Sequence, residues 1–328
     1  MSGLGMAVDL EGLATNLARA GFRGHVATRA PLHPLTTYRL GGPAAIYFEP
    51  ADEADLASMS AIAEQLGALE ILLLGRGSNL VISDEGWPGA VIRLGPGFSA
   101  VQIAERPPAG RDPSAVHVRA GAAVSMPQLA NWAARRNLAG VEFMVSIPGS
   151  VGGGVRMNAG AHGGQVSDHL VSIDLFELDG FAPSSRSAAE LGLGYRHSDL
   201  RAREIVTAAY FSLPAGDPAS IRARMDDNRR QRAETQPGAL QNAGSVFKNP
   251  PGDHAGRLVE AAGLKGFRLG GAAVSALHAN FFVADAGASA QDVHDLVHHV
   301  AREVHDRFGV TLQPEVRFVG SFTPPGER

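Results

Sequence analysis

Cysteine is absent from the 328 residues, which removes disulfides, iron–sulfur clusters, thiolate zinc sites, a cysteine nucleophile and a cysteinyl flavin bond together. Redox chemistry here needs a carrier other than cysteine. Long apolar runs are missing too, since none approaches the roughly 18 residues that signal a spanning helix. The opening MSGLGMAVDLEGLA has no charged n-region leading into an apolar stretch, so secretion and a membrane anchor are not expected and the cytoplasm is. There is no excess of positive charge. A formal net charge of -4 and a pI near 6.3 leave no electrostatic footprint for nucleic acid or an anionic membrane. Any phosphate has to be held locally. No internal repeat or long low-complexity tract is present, and the length allows two or three domains.

Glycine is what the chain has in excess, with 40 residues, about 12% of the total against roughly 7% in an average protein. Its densest run is residues 141–164, VEFMVSIPGSVGGGVRMNAGAHGG. That stretch turns at Ile147-Pro148-Gly149, passes through Gly152, Gly153 and Gly154, and reaches Asn158 between further glycines. Phe143, Met144, Val145, Ile147, Val151, Val155 and Met157 are interleaved, which argues against a solvated linker. So much glycine beside core residues implies positive φ angles or close backbone approach to a bound group. Backbone N–H groups bared by glycine make phosphate cradles.

In chain order, residues 8–20 read as a short amphipathic helix, and PLHPLTTYRLGGPA follows, where Thr37 to Leu40 suggest a strand running into the Gly41-Gly42 turn. Arg39 at that point is either a phosphate ligand or an exposed strand-end arginine. Residues 55–66 carry Leu56, Met59, Ile62 and Leu66 at helical spacing, and the apolar run 71–74 reads as a buried strand. Helix then strand is an α/β signature. The strand empties into Gly75-Arg76-Gly77-Ser78-Asn79, which can offer several amides and a hydroxyl to a pyrophosphate. Because Leu80-Val81-Ile82 continues as strand, this loop is not the dinucleotide fingerprint, which opens a helix, and a Rossmann fold is disfavoured.

Strands are expected at 91–94 and 116–120 around a Pro/Gly-rich excursion over 95–113, then a helix at 126–136, then strands at 170–178 and 205–213 with Tyr195-Arg196-His197-Ser198 between them. The helix at 217–232 bears Arg222, Arg224, Arg229, Arg230 and Arg232, a solvated face whose arginine-rich end could reach phosphates. A boundary signal at Gln236-Pro237-Gly238 precedes NAGSVFKNP, where hydroxyl, amine and amide side chains crowd together. Helices at 253–262 and 290–308 and strands at 280–283 and 315–319 complete the chain. His294 and His298 lie one turn apart on the long helix. No third ligand at fixed spacing accompanies them, they share what reads as a wet face with Asp295, Arg302 and Asp306, and no metal is expected.

Read together, TTYRLGGPA, LGRGSNLVISDEGWPGAVI, IPGSVGGGVRMNAGAHGG, YRHS, AGSVFKNP, AGRLVEAAGLKG and PEVRFVG resemble the bacterial UDP-N-acetylenolpyruvoylglucosamine reductases, the MurB family of cell-wall enzymes. The likeness is ordered and runs from about Pro31 to Gly320. It implies an α+β protein with an FAD-binding fold of the vanillyl-alcohol-oxidase (PCMH) type and a C-terminal α+β substrate domain. Residues 1–30 would form a helical lead-in, 31–214 the two-part FAD domain and 215–328 the substrate domain, its last strand returning to the FAD domain. The implied reaction reduces the enolpyruvyl ether of UDP-N-acetylglucosamine to UDP-N-acetylmuramate for peptidoglycan synthesis, with hydride passing from NADPH to non-covalent FAD and then to the vinyl carbon. Small molecules are the implied partners and a monomer the implied form.

By family position, Arg39, Gly75, Arg76, Gly77, Ser78, Asn79, Gly149, Ser150, Gly153, Asn158 and Gly160 would hold FAD. Arg196 and Glu315 would sit at the substrate carboxylate, Ser245 would donate a proton, and Tyr195, Lys248 and Asn249 would hold the UDP portion. Ser146, Gly154, Arg156 and His162 depart from the family's usual glycine, alanine, bulky apolar residue and tyrosine. The short interval from Arg196 to Ser245 resembles the class without a substrate-capping insertion. Two alternatives stay open: an oxidase of the same fold, which would need a base where Ser245 stands, and a silent nucleotide-sugar-binding relative.

Overall fold

The computed structural model describes residues 9–104, 115–238 and 241–325. The expected helix start at residue 8 and residues 105–113 of the excursion lie outside them. The first part of the chain forms α1 (Leu10–Arg19), β1 (His25–Pro31), β2 (Pro43–Glu49), α2 (Glu53–Ser58), α3 (Ala63–Gly67), β3 (Ile71–Leu73), β4 (Leu80–Ile82) and β5 (Trp87–Ile92). β1, β2, β5 and β3 lie side by side in that order, β1 antiparallel to β2 and the rest parallel. Leu13 and Leu17 of α1 pack with Ile46, Phe48, Leu56, Met59 and Ile92 into a core beside this sheet. The lead-in is therefore not purely helical, because His25 to Pro31 form an edge strand.

β6 (Val101–Ile103), β7 (Val116–Gly121), α4 (Met126–Ala134), α5 (Val151–Arg156), β8 (Gly160–Ala161), β9 (Gly164–Gln165), β10 (Leu170–Glu177), β11 (Ala182–Ser187) and β12 (Glu204–Leu213) follow. They build a second sheet in the order β11-β10-β12-β7-β6, antiparallel throughout. Ser125 starts α4 with a reciprocal capping box to Gln128, and proline follows in the first turn. The last part contains α6 (Pro218–Thr235), α7 (Ala255–Ala261), β13 (Arg268–Leu269), β14 (Ala272–Val274), β15 (Phe282–Ala284), α8 (Ala290–Phe308) and β16 (Arg317–Val319). Among the described residues no helix is long and apolar enough to cross a membrane.

Three contacts tie the last part to the first. β16 runs parallel beside β4. The Asp84 carboxylate, just past β4, accepts from the N–H groups of Ala290 and Gln291 at 2.9 and 3.2 Å, capping α8 from another part of the fold. Tyr38 is fully buried in the C-terminal core and donates its hydroxyl to the Phe282 carbonyl at 2.9 Å. That anchor corrects the strand expected over 37–40: a 3-10 turn at His33–Leu35 leads into irregular backbone that plugs the C-terminal core. The helix expected over 55–66 is also broken, with a 3-10 segment at Met59–Ile62 between α2 and α3.

The central glycines are helical. α5 contains Gly152 to Gly154, and none of the three has a positive φ; a Cβ on Gly152 would stand 2.9 Å from the Ala122 Cβ, while one on Gly153, which lines the cleft, would meet only the Ser150 hydroxyl, at 3.3 Å. A Cβ on Gly154 would stand 2.9 Å from the Met126 sulfur, a movable side-chain end. Gly77 is the contrasting case, with φ +59° and a Cβ position 2.3 Å from the Leu35 carbonyl oxygen. Gly154→Ala is thus expected to change stability by no more than about 1 kcal/mol, the helix gain offsetting the shift of Met126. Gly77→Ala is expected to cost more than about 2 kcal/mol through left-handed strain and backbone collision. Thermal melts of the two variants check the contrast, and equal losses would contradict it.

His294 corrects a further expectation. It is 8% exposed, stacked on Phe322 with centroids 4.8 Å apart and edge-on to Phe318, so its side of α8 is buried and not wet. No group of three or more potential metal-ligating side chains is found among the described residues.

Candidate active site

The loop from Gly75 to Asn79 links β3 to β4, whose hydrogen-bond partners end at the loop. Among the described residues, none of its five backbone N–H groups donates to a protein acceptor. Buried strands hold both ends while the amides between them are left for something else. The loop lines a cleft of about 1210 Å³, with Pro148, Gly149, Ser150, Gly153 and Gly160 on the facing wall. A second hollow of about 680 Å³ continues from it and shares Gly75, Ser150, Gly153 and Arg156, with aliphatic walls from Ile92, Leu94, Ile205 and Val206. A Cβ on Gly75 would come within 2.6 Å of the Ser150 hydroxyl, at the junction of the two hollows.

Arg76, Arg156, Arg196, Arg232 and Arg317 line the cleft, and Glu315 is its one acidic lining residue among those described. An acidic chain thus concentrates positive charge in one place. Arg156, flagged above as a departure, donates to the carbonyls of Leu200, Arg201 and Glu204 at 3.1, 3.2 and 2.7 Å. Burial, and secondarily the nearby charge of Arg317, lower its pKa to about 10. Of the basic face on α6, Arg224 pairs with Glu142, Arg229 with Asp226 and Arg230 with Asp227; Arg232 enters the cleft, donating to the Ser146 carbonyl.

Arg196 sits at the tip of a tight turn closed by reciprocal bonds between Gly194 and His197, both 3.2 Å. Its φ of 54° is rare outside glycine and is held by the surrounding contacts. Nε donates to Glu315 Oε1 at 2.6 Å and Nη2 to the Gly160 carbonyl at 2.8 Å. Two of the five guanidinium N–H donors are so engaged, leaving three. Asn158 does not line the cleft. It is buried, donates to the Gly194 carbonyl at 3.0 Å and accepts from the Ser167 N–H at 2.9 Å, which supports the turn carrying Arg196.

Glu315 is placed by backbone bonds, its N–H donating to the Val246 carbonyl at 2.7 Å and its own carbonyl accepting from Asn79 Nδ2 at 3.1 Å. Asn79 therefore spends its side chain on the strand end that presents Glu315. Burial raises the Glu315 pKa above its ordinary value, against the charge and hydrogen bond of Arg196 and the charge of Lys248. The folded protein holds this proton more tightly than the unfolded chain does. Its contribution to stability is greatest below the ordinary value of 4.5 and is lost as pH rises through the raised folded value. Between about pH 4 and pH 7 the parent is expected to lose thermal stability relative to Glu315→Gln, which has no such proton. A parent that gains relative to the variant over that window contradicts the raised pKa.

Ser245 lines the same cleft, and among the described residues its hydroxyl has no hydrogen-bond partner. Its segment is clamped by Asn280, which accepts from the Phe247 N–H and donates to the Phe247 carbonyl, both 2.9 Å, while the Asn280 carbonyl accepts from the Val246 N–H at 2.8 Å. Sequence reasoning missed Asn280, which carried no signal beyond opening the strand expected over 280–283. Tyr195, Lys248 and Asn249 stand outside the cleft lining; the Asn249 N–H donates to the Tyr195 hydroxyl at 3.4 Å, and Asn249 Oδ1 accepts from Ala255. Arg39 lies in a neighbouring recess.

The residues fit a flavin dinucleotide. The amide run offers a cradle for the pyrophosphate, the aliphatic hollow room for an adenosine, and the larger cleft space for a ring system beside Arg196, Ser245 and Glu315.

Comparison with known proteins agrees. Residues 44–181 match the model of the FAD binding domain, and residues 236–319 that of the UDP-N-acetylenolpyruvoylglucosamine reductase C-terminal domain. The UDP-N-acetylenolpyruvoylglucosamine reductase 2 of Symbiobacterium thermophilum is 42% identical, covering 90% of this chain and 93% of its own. The reductase of Sphingopyxis alaskensis is 40% identical over 91% of this chain and 96% of its own. The crystal structure of the reductase (MurB) from Thermus caldophilus superposes with a TM-score of 0.74 at 34% identity, covering 91% of this chain and all of that one. The chain belongs to the UDP-N-acetylenolpyruvoylglucosamine reductase (MurB) family of flavin-dependent oxidoreductases.

Proposed function

We propose that this chain reduces UDP-N-acetylglucosamine enolpyruvate to UDP-N-acetylmuramate, a peptidoglycan precursor step, at the expense of NADPH and as a monomer. The observation that carries the reading is the convergence of Arg196, Glu315 and the unpartnered Ser245 hydroxyl on one cleft with the free amide run. When bound, FAD supplies the hydride, having taken it from NADPH. Gly75 to Asn79, with Gly149, Ser150, Gly153 and Gly160, hold the cofactor, while Asn158 and Asn79 position Arg196 and Glu315. Arg39 belongs to the neighbouring recess. Tyr195, Lys248 and Asn249 receive the UDP portion at the mouth.

Hydride addition to the terminal carbon of the double bond pushes charge onto the conjugated carboxylate. Arg196 stabilises that charge with its remaining donors, where low local dielectric strengthens the interaction. Glu315, with its raised pKa, can sit protonated beside an anionic substrate and donate instead of repelling. Ser245 then gives its proton to the α-carbon, completing the addition of one hydride and one proton. The C=C bond becomes a single bond and no other bond breaks. The test is isotopic: NADPH deuterated at the transferring position should label the new methyl group, and deuterated water the α-carbon, read by NMR of the product. The opposite labelling pattern, or no saturated product, overturns the assignment.

A further inference from the structure

Arg156 ends α5 and lines both hollows, as do Gly75 and Ser150 at their junction. It departs from the bulky apolar residue usual in the family, and the bonds that fix it leave its charge without a counter-ion. Nη1 donates to the Leu200 carbonyl and Nη2 to those of Arg201 and Glu204, all three neutral acceptors. The Glu204 carboxylate is already taken, by Arg186 and Arg201. Among the described residues Arg156 forms no ion pair, and the neighbouring charge that acts on it, from Arg317, is of like sign.

A cation drawn out of water without a partner of opposite charge is costly, and an arriving anion removes that cost. Arg156 has the means to receive one. Two of its five N–H donors, on Nε and Nη1, are uncommitted among the described residues. Its backbone is held as well, the Arg156 carbonyl accepting from the Ser198 hydroxyl at 2.7 Å.

The dinucleotide that fits these hollows carries its charge in the middle. With the adenosine in the aliphatic hollow and the ring system in the larger cleft, the pyrophosphate that joins them crosses the junction, where Arg156 belongs to both walls. The amide run supplies hydrogen bonds there but no net charge. Resting on the reading that Gly75 to Asn79 take the pyrophosphate of FAD, we propose that Arg156 is its counter-ion, a charged clamp that this chain adds to the backbone cradle. Guanidinium forks match phosphate oxygens, and in a site closed to water the pairing is strong.

The test is FAD release from the loaded full-length protein, read as recovered flavin fluorescence. Arg156→Met is expected to weaken FAD binding at least about tenfold, and Arg156→Lys by less, because lysine keeps the charge without the fork. Sodium chloride should weaken FAD binding more steeply in the parent than in Arg156→Met. Displacement separates the causes. ADP, which carries the pyrophosphate, should lose affinity for Arg156→Met in step with FAD, while adenosine, which carries no phosphate, should displace FAD from both proteins at the concentrations their FAD affinities set, with its own affinity unchanged. Equal losses of ADP and adenosine overturn the proposal, since Arg156 would then shape the adenosine hollow. Unchanged FAD affinity in Arg156→Met overturns it too, as does FAD binding in the parent that is indifferent to salt. Failure of the underlying reading looks different: ADP then fails to displace FAD from the parent itself.

Discussion

Ser245→Ala is expected to keep its yellow colour and its bleaching by NADPH, yet return the flavin band with the enolpyruvyl substrate at least about 10²-fold more slowly. The separation of the two half-reactions makes the variant informative. Ser245 belongs to the cleft wall contributed by the C-terminal part, while the amide run comes from the first part and the aliphatic hollow from the first and second sheets together. Removing one hydroxyl with no hydrogen-bond partner among the described residues leaves no buried group stranded, so folding should be spared. Asn280 continues to clamp the segment through Phe247. Normal return of the band in this variant would take Ser245 out of the mechanism.

Arg196→Met should lower kcat/KM by about 10²–10³-fold, the scale of losing an electrostatic stabiliser of a developing oxyanion. It should also destabilise the fold by roughly 1–3 kcal/mol, because Glu315 loses its partner and remains buried. The two effects separate in Arg196→Lys. An ammonium restores much of the charge beside Glu315 but cannot reproduce the fork that holds Glu315 Oε1 and the Gly160 carbonyl at once. Stability should recover more than activity. Full recovery of activity in the lysine variant would mean that charge alone suffices, contrary to the geometry of the turn.

What could be read from the sequence was local. The long helix was legible because Ser289 and Asp292 form a capping box at its start and Gly309 ends it in the left-handed conformation. β10 and β12 were legible from apolar runs of strand length. The glycine run was read as a place of close backbone approach to a bound group, but its helical state was not legible, since glycine by itself argues against helix. Tyr38 and Arg39 were misread as strand because nothing nearby announces a bond to Phe282, 244 residues away. The Asn79 bond to Glu315 spans 236 residues and the Arg196 pair 119, contacts that only the assembled fold brings together. Asn158 was expected to hold FAD; in the structure its polar groups bond to Gly194 and Ser167, beside the Arg196 turn.

The most direct test of the account is the absorbance spectrum of the purified protein, followed without oxygen through NADPH and then UDP-N-acetylglucosamine enolpyruvate. A flavin band that bleaches with NADPH and returns with the sugar nucleotide is the predicted result. A colourless protein that takes up no added FAD, or a band that bleaches and stays bleached, would contradict it.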